Sequence, residues 1–391
     1  MTHIVRALVL ALPAILVLAS CSNLPQPQAC PACPAPAPGP VRPADAKYQQ
    51  TAYAAIPGWA DAQLVPGLRA FASGCSRIAA GGALRRACDA ALALTSNDEN
   101  SARKFVETSF EAWALTSADG SAEGLVTGYY EPVLAGSRTR SERFRHAVYG
   151  VPADLVAVDL ESVVPDVKGL RLRGRLDGAR LVPYWTRGEI EASGKFSAPV
   201  LAWVEDPVEL FFMQIQGSGQ IELGGGARMR LGYGDHNGHP YGSIGRYLMQ
   251  RGELALEQTS MQGIKAWAAA NPGKLRAALD SNPSYVFFRE TAQADGPLGT
   301  LGTPLSAGYS LAIDPRSVPL GAPVFLATTM PLSSQPLRRL VAAQDTGGAI
   351  RGAVRADFYW GSGNEAGALA GGMRQQGRMW VLWPRGDGPP R

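Results

Sequence analysis

The residues best suited to acid chemistry are two aspartates in a glycine- and aromatic-rich stretch near the end of the chain. The stretch reads Leu340-Val-Ala-Ala-Gln-Asp-Thr-Gly-Gly-Ala-Ile-Arg-Gly-Ala-Val-Arg-Ala-Asp-Phe-Tyr-Trp-Gly361. Its apolar opening, Leu340 to Ala343, reads as a buried strand ending at Gln344, and Asp345 follows before Thr346-Gly347-Gly348. Asp357 sits in a second strand-like piece, Val354 to Trp360, between Ala356 and Phe358. The pattern predicts two carboxylates on neighbouring strand ends in apolar surroundings. Burial raises a carboxyl pKa, and a neighbouring carboxylate raises it further. An acid still protonated near neutral pH is what glycosidic bond cleavage requires. An Asp beside glycines also serves as a turn residue whose side chain accepts from local backbone N–H groups. Asp314, in Ala312-Ile-Asp-Pro-Arg316, is a third candidate after an apolar run, although Asp-Pro is itself a turn signal.

A second group of residues offers hydrogen bonds and ring faces. Glu209-Leu-Phe-Phe-Met-Gln-Ile-Gln-Gly-Ser-Gly219 reads as a strand, which places Gln214, Gln216 and Ser218 on one face. Together with Tyr129 and Tyr130 it supplies the amides, hydroxyls and aromatic faces that a sugar site needs. The same residue types are ordinary at sheet edges. The polar loop that follows Tyr233 carries Asp235, His236 and His239, with no helical i, i+4 partner and no Cys or Glu to complete a set, so no metal site is expected. Nucleophile elbows, phosphate loops and dinucleotide motifs are missing. Asp345-Thr-Gly347 also matches the active-site triplet of aspartic proteases, which need two such aspartates sharing a proton. This chain has one triplet, so a protease reading requires a dimer and leaves Asp357 without a role.

The elements that hold these residues change character along the chain. Gly 45 and Pro 30 in 391 residues, with many short apolar runs, predict a mainly β architecture rich in turns. Residues 46 to 118 form the main helical part, with helices expected over Leu64–Gly74 and Leu84–Leu94 and from about Asn97 through Phe110 and Trp113. Strands follow from Gly124, including Leu125–Val133, Ala147–Val151, Leu181–Trp185, Pro199–Trp203 and Val208–Gln216. Helices return at Ser243–Arg251 and Thr259–Asn271, and residues 295 to 385 are again strand-rich. The formal charge of +4 is too slight to argue for nucleic-acid binding, and no basic stripe accompanies it.

At the start, Arg6 precedes an apolar run from Ala7 to Ala19, too short to span a bilayer and typical of a secretory signal. It ends Leu18-Ala19-Ser20-Cys21, which resembles the lipobox of bacterial lipoproteins and implies lipidation of Cys21. Ser22, in place of Asp, implies sorting to the outer membrane of a Gram-negative cell, facing the periplasm. Residues 21 to 45, rich in Pro and Ala, read as an extended tether. In an exported chain the remaining cysteines point to disulfides, with Cys75 and Cys88 the better-placed pair and Cys30 and Cys33 inside the tether.

Thr127-Gly-Tyr-Tyr-Glu-Pro-Val133, Gln214-Ile-Gln-Gly-Ser-Gly219, Asn282-Pro-Ser-Tyr-Val-Phe-Phe288 and the closing Gln344-Asp to Trp360-Gly segment together resemble the membrane-bound lytic murein transglycosylase A family. The resemblance runs from about residue 120 to 383. It implies a mainly β fold with accessory helices: a double-psi β-barrel domain from residues 46–133 plus 241–385, a smaller β domain inserted at 134–240, and a groove between them. The family's catalytic acid matches Asp357, its supporting aspartate Asp345, and a third aspartate Asp314. Substrate contacts are expected at Thr127, Tyr129, Tyr130, Gln214, Gln216, Ser218 and Tyr233. The implied reaction cleaves the β-1,4 bond between N-acetylmuramic acid and N-acetylglucosamine with one Asp as acid and base, leaving a 1,6-anhydro end and needing no cofactor. The implied partners are peptidoglycan glycan strands and proteins of cell-wall synthesis or remodelling. A murein-binding lipoprotein without turnover is the alternative, set apart by the absence of released soluble fragments.

Overall fold

A computed structural model describes residues 46–390, apart from 95–97, 168–169, 193–195 and 293–295. The chain begins with β1 (Lys47–Thr51), followed by α1 (Val65–Gly74), α2 (Leu84–Leu92) and α3 (Glu99–Ser109), then β2 (Phe110–Thr116) and β3 (Gly124–Glu131). Short strands come next: β4 (Val133–Ser137), β5 (His146–Tyr149), β6 (Val156–Val158), β7 (Leu172–Asp177) and β8 (Arg180–Pro183). After them run α4 (Arg187–Ala192), β9 (Val200–Val204), α5 (Pro207–Gln216), β10 (Gly219–Glu222) and β11 (Arg228–His236). Three helices, α6 (Ile244–Gln250), α7 (Met261–Ala270) and α8 (Pro272–Asp280), precede β12 (Val286–Thr291). The chain closes with β13 (Ser310–Ile313), β14 (Pro323–Thr329), β15 (Pro336–Thr346), β16 (Ala356–Ser362), α9 (Gly363–Gly372) and β17 (Arg374–Pro384).

Six strands close on themselves in the order β17-β14-β15-β13-β16-β3, with β3 returning to β17. This mainly β barrel is extended by β2, antiparallel to β17, and by β1, antiparallel to β2. Its interior is filled by Val126, Leu311, Ile313, Val324, Ala356 and Phe358, all at most 1% exposed. A second sheet runs β12-β11-β10-β4-β9-β5, and a third, of three strands, β6-β7-β8. The second sheet draws its strand β12 from beyond residue 240. Between barrel and second sheet the chain crosses at Pro132, between β3 and β4, where a missing N–H costs no ladder bond.

The helical segment backs the barrel. Gln344, fully buried on β15, donates through Nε2 to Ala70 O on α1 at 2.7 Å and accepts from Ser310 Oγ on β13 at 2.6 Å. A disulfide joins Cys75 to Cys88, staples the end of α1 to α2, and lies in the same core. Cys21, Cys30 and Cys33 lie outside the described residues, as does the expected leader. Among the described residues no helix is long and apolar enough to cross a membrane.

Three sequence expectations are corrected. The third helix ends at Ser109, and Phe110 and Trp113 belong to β2, where Trp113 pairs with Val381. Helices α4, α8 and α9 stand where none was expected. The stretch Val208–Gln216 is a helix, not a strand. Asp206 caps it, accepting from Val208 N at 2.7 Å and Glu209 N at 3.3 Å, with Pro207 at its first turn and left-handed Gly217 ending it. Its apolar run is continuous because two sides are covered: Leu210 and Met213 pack on the second sheet, Val208, Phe211 and Phe212 on α6 to α8.

Candidate active site

Strand register builds the site. Ala312 on β13 is opposite Asp345 in the parallel pair with β15 and opposite Asp357 in the antiparallel pair with β16. Asp357 in turn is opposite Thr127 on β3. The two aspartates are therefore not on neighbouring strands, as the sequence pattern predicted; one strand lies between them, putting their Cα atoms about 10 Å apart. They share a face of the sheet with Tyr129 and Tyr359, which pack with Ala312, Leu305 and Ile350 in a small apolar cluster. That face lies opposite the barrel interior, because side chains alternate along each strand.

The environments of the two carboxyls differ. Asp345 Oδ1 accepts from Thr300 N, Thr300 Oγ1 and Thr346 N, each at 2.9 Å, and Oδ2 accepts from Tyr129 OH at 3.2 Å. Burial raises its pKa, while these donors oppose the rise. Asp357 receives one bond, from Thr127 Oγ1 to Oδ1 at 2.7 Å. Its pKa is pushed up to about 6, chiefly by burial and secondarily by the charge of Asp345, against the Thr127 donor and the Arg355 guanidinium. Burial also lowers the pKa of Arg355, whose side chain donates to the Leu125 and Ala356 carbonyls. Burial beside both aspartates drives the Tyr129 phenol well above its ordinary pKa, so it stays a donor. Burial raises both carboxyls, but four donors oppose the rise at Asp345 and one at Asp357, and a sparsely bonded carboxyl with a pKa near 6 is suited to act as an acid.

The other residues singled out from sequence separate. Asp314, 1% exposed, accepts from Arg316 through both oxygens and from Gly352 N at 2.9 Å, and these contacts hold its pKa below the usual range despite burial. It anchors the loop between β15 and β16 as an anion. On α5, two residues apart, Gln214 and Gln216 diverge rather than share a face. Gln214 is 3% exposed and accepts from Arg187 Nη1 at 2.6 Å, whereas Gln216 Oε1 accepts the Tyr130 N–H at 3.1 Å. Ser218 follows the helix-ending turn at Gly217. Tyr130 leaves the opposite face of β3 from Tyr129, with its hydroxyl on Met261 Sδ. Tyr233 stands on β11 of the second sheet, near Asp235, which pairs with Arg173. Among the described residues no three His, Cys, Asp or Glu side chains are placed to hold a metal ion.

Sequence reasoning missed Thr300 and Arg355. Thr300 sits in an irregular loop 45 residues before the carboxylate it caps, and no local pattern marks it. Arg355 was legible as a cation two residues from an acid.

Known proteins agree with this architecture. The family model described as MltA specific insert domain matches residues 125–289, and the one described as 3D domain matches 309–383. A curated relative, membrane-bound lytic murein transglycosylase A of Escherichia coli K12, is 34% identical over 290 residues, 72% of this chain and 71% of its own. The crystal structure of MltA from Neisseria gonorrhoeae is similar at a TM-score of 0.79, with 43% identity over 88% of this chain and 94% of that one. The E. coli MltA structure with bound chitohexaose is similar at a TM-score of 0.65, with 28% identity over 88% of this chain and 96% of that one. With its barrel, its paired aspartates and these likenesses, the chain belongs to the membrane-bound lytic murein transglycosylase A family.

Proposed function

We propose that this protein, a peptidoglycan lytic transglycosylase by family, cleaves the β-1,4 bond between N-acetylmuramic acid and N-acetylglucosamine with Asp357 as its single acid and base. The observation that carries this reading is the asymmetry of the two carboxyls. Asp357 has one donor and a pKa near 6, while Asp345 is enclosed by four donors. Asp357 gives its proton to the glycosidic oxygen as the bond to the muramoyl anomeric carbon breaks. The carboxylate left behind takes the proton of the same sugar's 6-hydroxyl as that oxygen bonds to the anomeric carbon. The products are a free 4-hydroxyl on N-acetylglucosamine and a 1,6-anhydromuramoyl end, with no water consumed. Attack from within one sugar avoids the entropic cost of recruiting water. Asp345 sustains the acid by its charge and holds Tyr129 in place, and Thr127 orients the Asp357 carboxyl. The protease reading, which needs the Asp345 triplet of a second copy, leaves Asp357 and its Thr127 contact without a role.

Mass spectrometry of murein sacculi digested by the full-length protein tests this, beside Asp357→Ala. Fragments lighter than hydrolytic ones by one water, absent with the variant, are expected. Ordinary reducing ends mean a hydrolase, and no fragments from a folded wild type mean a binding lipoprotein. Anchoring through Cys21 at the outer membrane belongs to the same proposal, and wild-type-like membrane fractionation of Cys21→Ser would refute it.

A further inference from the structure

The two faces of β3 serve different spaces. Thr127 and Tyr129 meet the aspartates, whereas Gly128 and Tyr130 border an open cavity of about 490 Å³ bounded by α5, α6, α7 and α9. That size lies within the range of roughly 300–1,000 Å³ usual for ligand pockets. Phe212, Ile244, Met261 and Ile264 supply its apolar walls, and no carboxylate lines it. Two arginines do, Arg246 on α6 and Arg374 at the head of β17, and among the described residues neither guanidinium has a hydrogen bond or ion pair. Glu209, the acid whose charge reaches Tyr130, is already held by Lys265 at 2.6 Å. Two such cations beside apolar walls suit an anion that carries apolar groups. Arg374, the first residue of β17, stands where the two spaces meet: it lines the cavity, yet as the register partner of Thr127, itself the partner of Asp357, it lies on the aspartate side of the sheet. Two strand spacings separate Arg374 from the acid, about 10 Å between Cα atoms.

We infer that this cavity receives the stem peptide of the muramoyl residue being cleaved, with the peptide carboxylates on Arg246 and Arg374 and its alanine methyls against the apolar wall. The inference rests on the proposed glycan cleavage at Asp357. An extended peptide covers about 3.3 Å per residue, so three to five residues starting near the acid reach the cavity. Charged hydrogen bonds of this kind give about a tenfold preference each.

The test measures kcat/KM for anhydro-end formation by the full-length protein on glycan strands bearing tetrapeptide stems and on the same strands stripped of peptide by an amidase. Wild type is expected to prefer the peptide-bearing strands, and the ratio should fall about tenfold for each arginine removed in Arg246→Gln and in Arg246→Gln/Arg374→Gln. A wild-type ratio of one, or a ratio that the substitutions leave unchanged, overturns the inference. Should the double variant be inactive on both strands, Arg246→Gln alone, on an exposed helix face, supplies the ratio. If wild type yields no anhydro ends from either strand, the reading of Asp357 fails, and calorimetric titration of the free tetrapeptide then decides the cavity separately. Saturable binding lost in the double variant supports it, and no saturable binding refutes it.

Discussion

Asp357 owes its acidity to a contest among neighbours that can be shifted one atom at a time. The Thr127 hydroxyl donates to the carboxylate and so favours the ionised form, holding the pKa below where burial alone would put it. The proposed first proton transfer needs Asp357 protonated, and that fraction falls as pH rises through about 6. Thr127→Val removes the donor without changing side-chain shape, so the descending limb of kcat/KM should move up by about one pH unit. Asp345→Asn removes a like charge that raises the Asp357 pKa, so its limb should move down. A pH–rate series on both variants checks the signs, and limbs that stay together or move in the reverse sense would remove Asp357 as the titrating acid.

The position of Asp345 depends on an element packed behind its strand. Strand β15, which carries Asp345, is backed by α1 at a close approach that only glycine allows. A Cβ on Gly67 would lie 2.1 Å from the Leu340 carbonyl oxygen, a backbone atom that cannot swing aside. Gly67→Ala should therefore force the helix off the strand and cost about 1–3 kcal/mol, as overpacking does. Urea denaturation measures this, and a midpoint equal to wild type would mean that the contact relaxes freely. Reading elements from sequence failed most clearly at α5. Its start signals, Asp206, Pro207 and Glu209, were present, but a segment buried on two sides shows no amphipathic period to set helix apart from strand.

For the molecule as a whole, one buried ion pair fastens the barrel to the second sheet. Glu131, at the end of β3 and fully buried, meets Arg230 of β11 at 3.0 Å. It also accepts from Gln220 of β10 at 2.7 Å and from Ser362 of β16 at 2.6 Å. Glu131→Gln keeps the shape but leaves the Arg230 charge buried and unpaired, a change that costs about 3–5 kcal/mol. Differential scanning calorimetry should show a large fall in unfolding temperature. Stability matching wild type would mean that water enters and solvates Arg230.

By itself the sequence determined the chemistry on offer and the kind of molecule that carries it. Asp345 and Asp357 in short apolar runs, Tyr129, the Cys75 and Cys88 pair and the ordered motifs were all readable, because residue type and alternation are local properties of the chain. Only the tertiary structure decided how the two aspartates differ. Strand β13 enters between their strands, Thr300 arrives from 45 residues away to cap one, and Thr127 from 230 residues away to hold the other. It also decided that Gln214 turns inward to Arg187 and that Asp314 is an anchored anion. Side-chain alternation can be read along a single strand, but the strands that become neighbours are chosen by burial summed over the whole core, which no short stretch encodes.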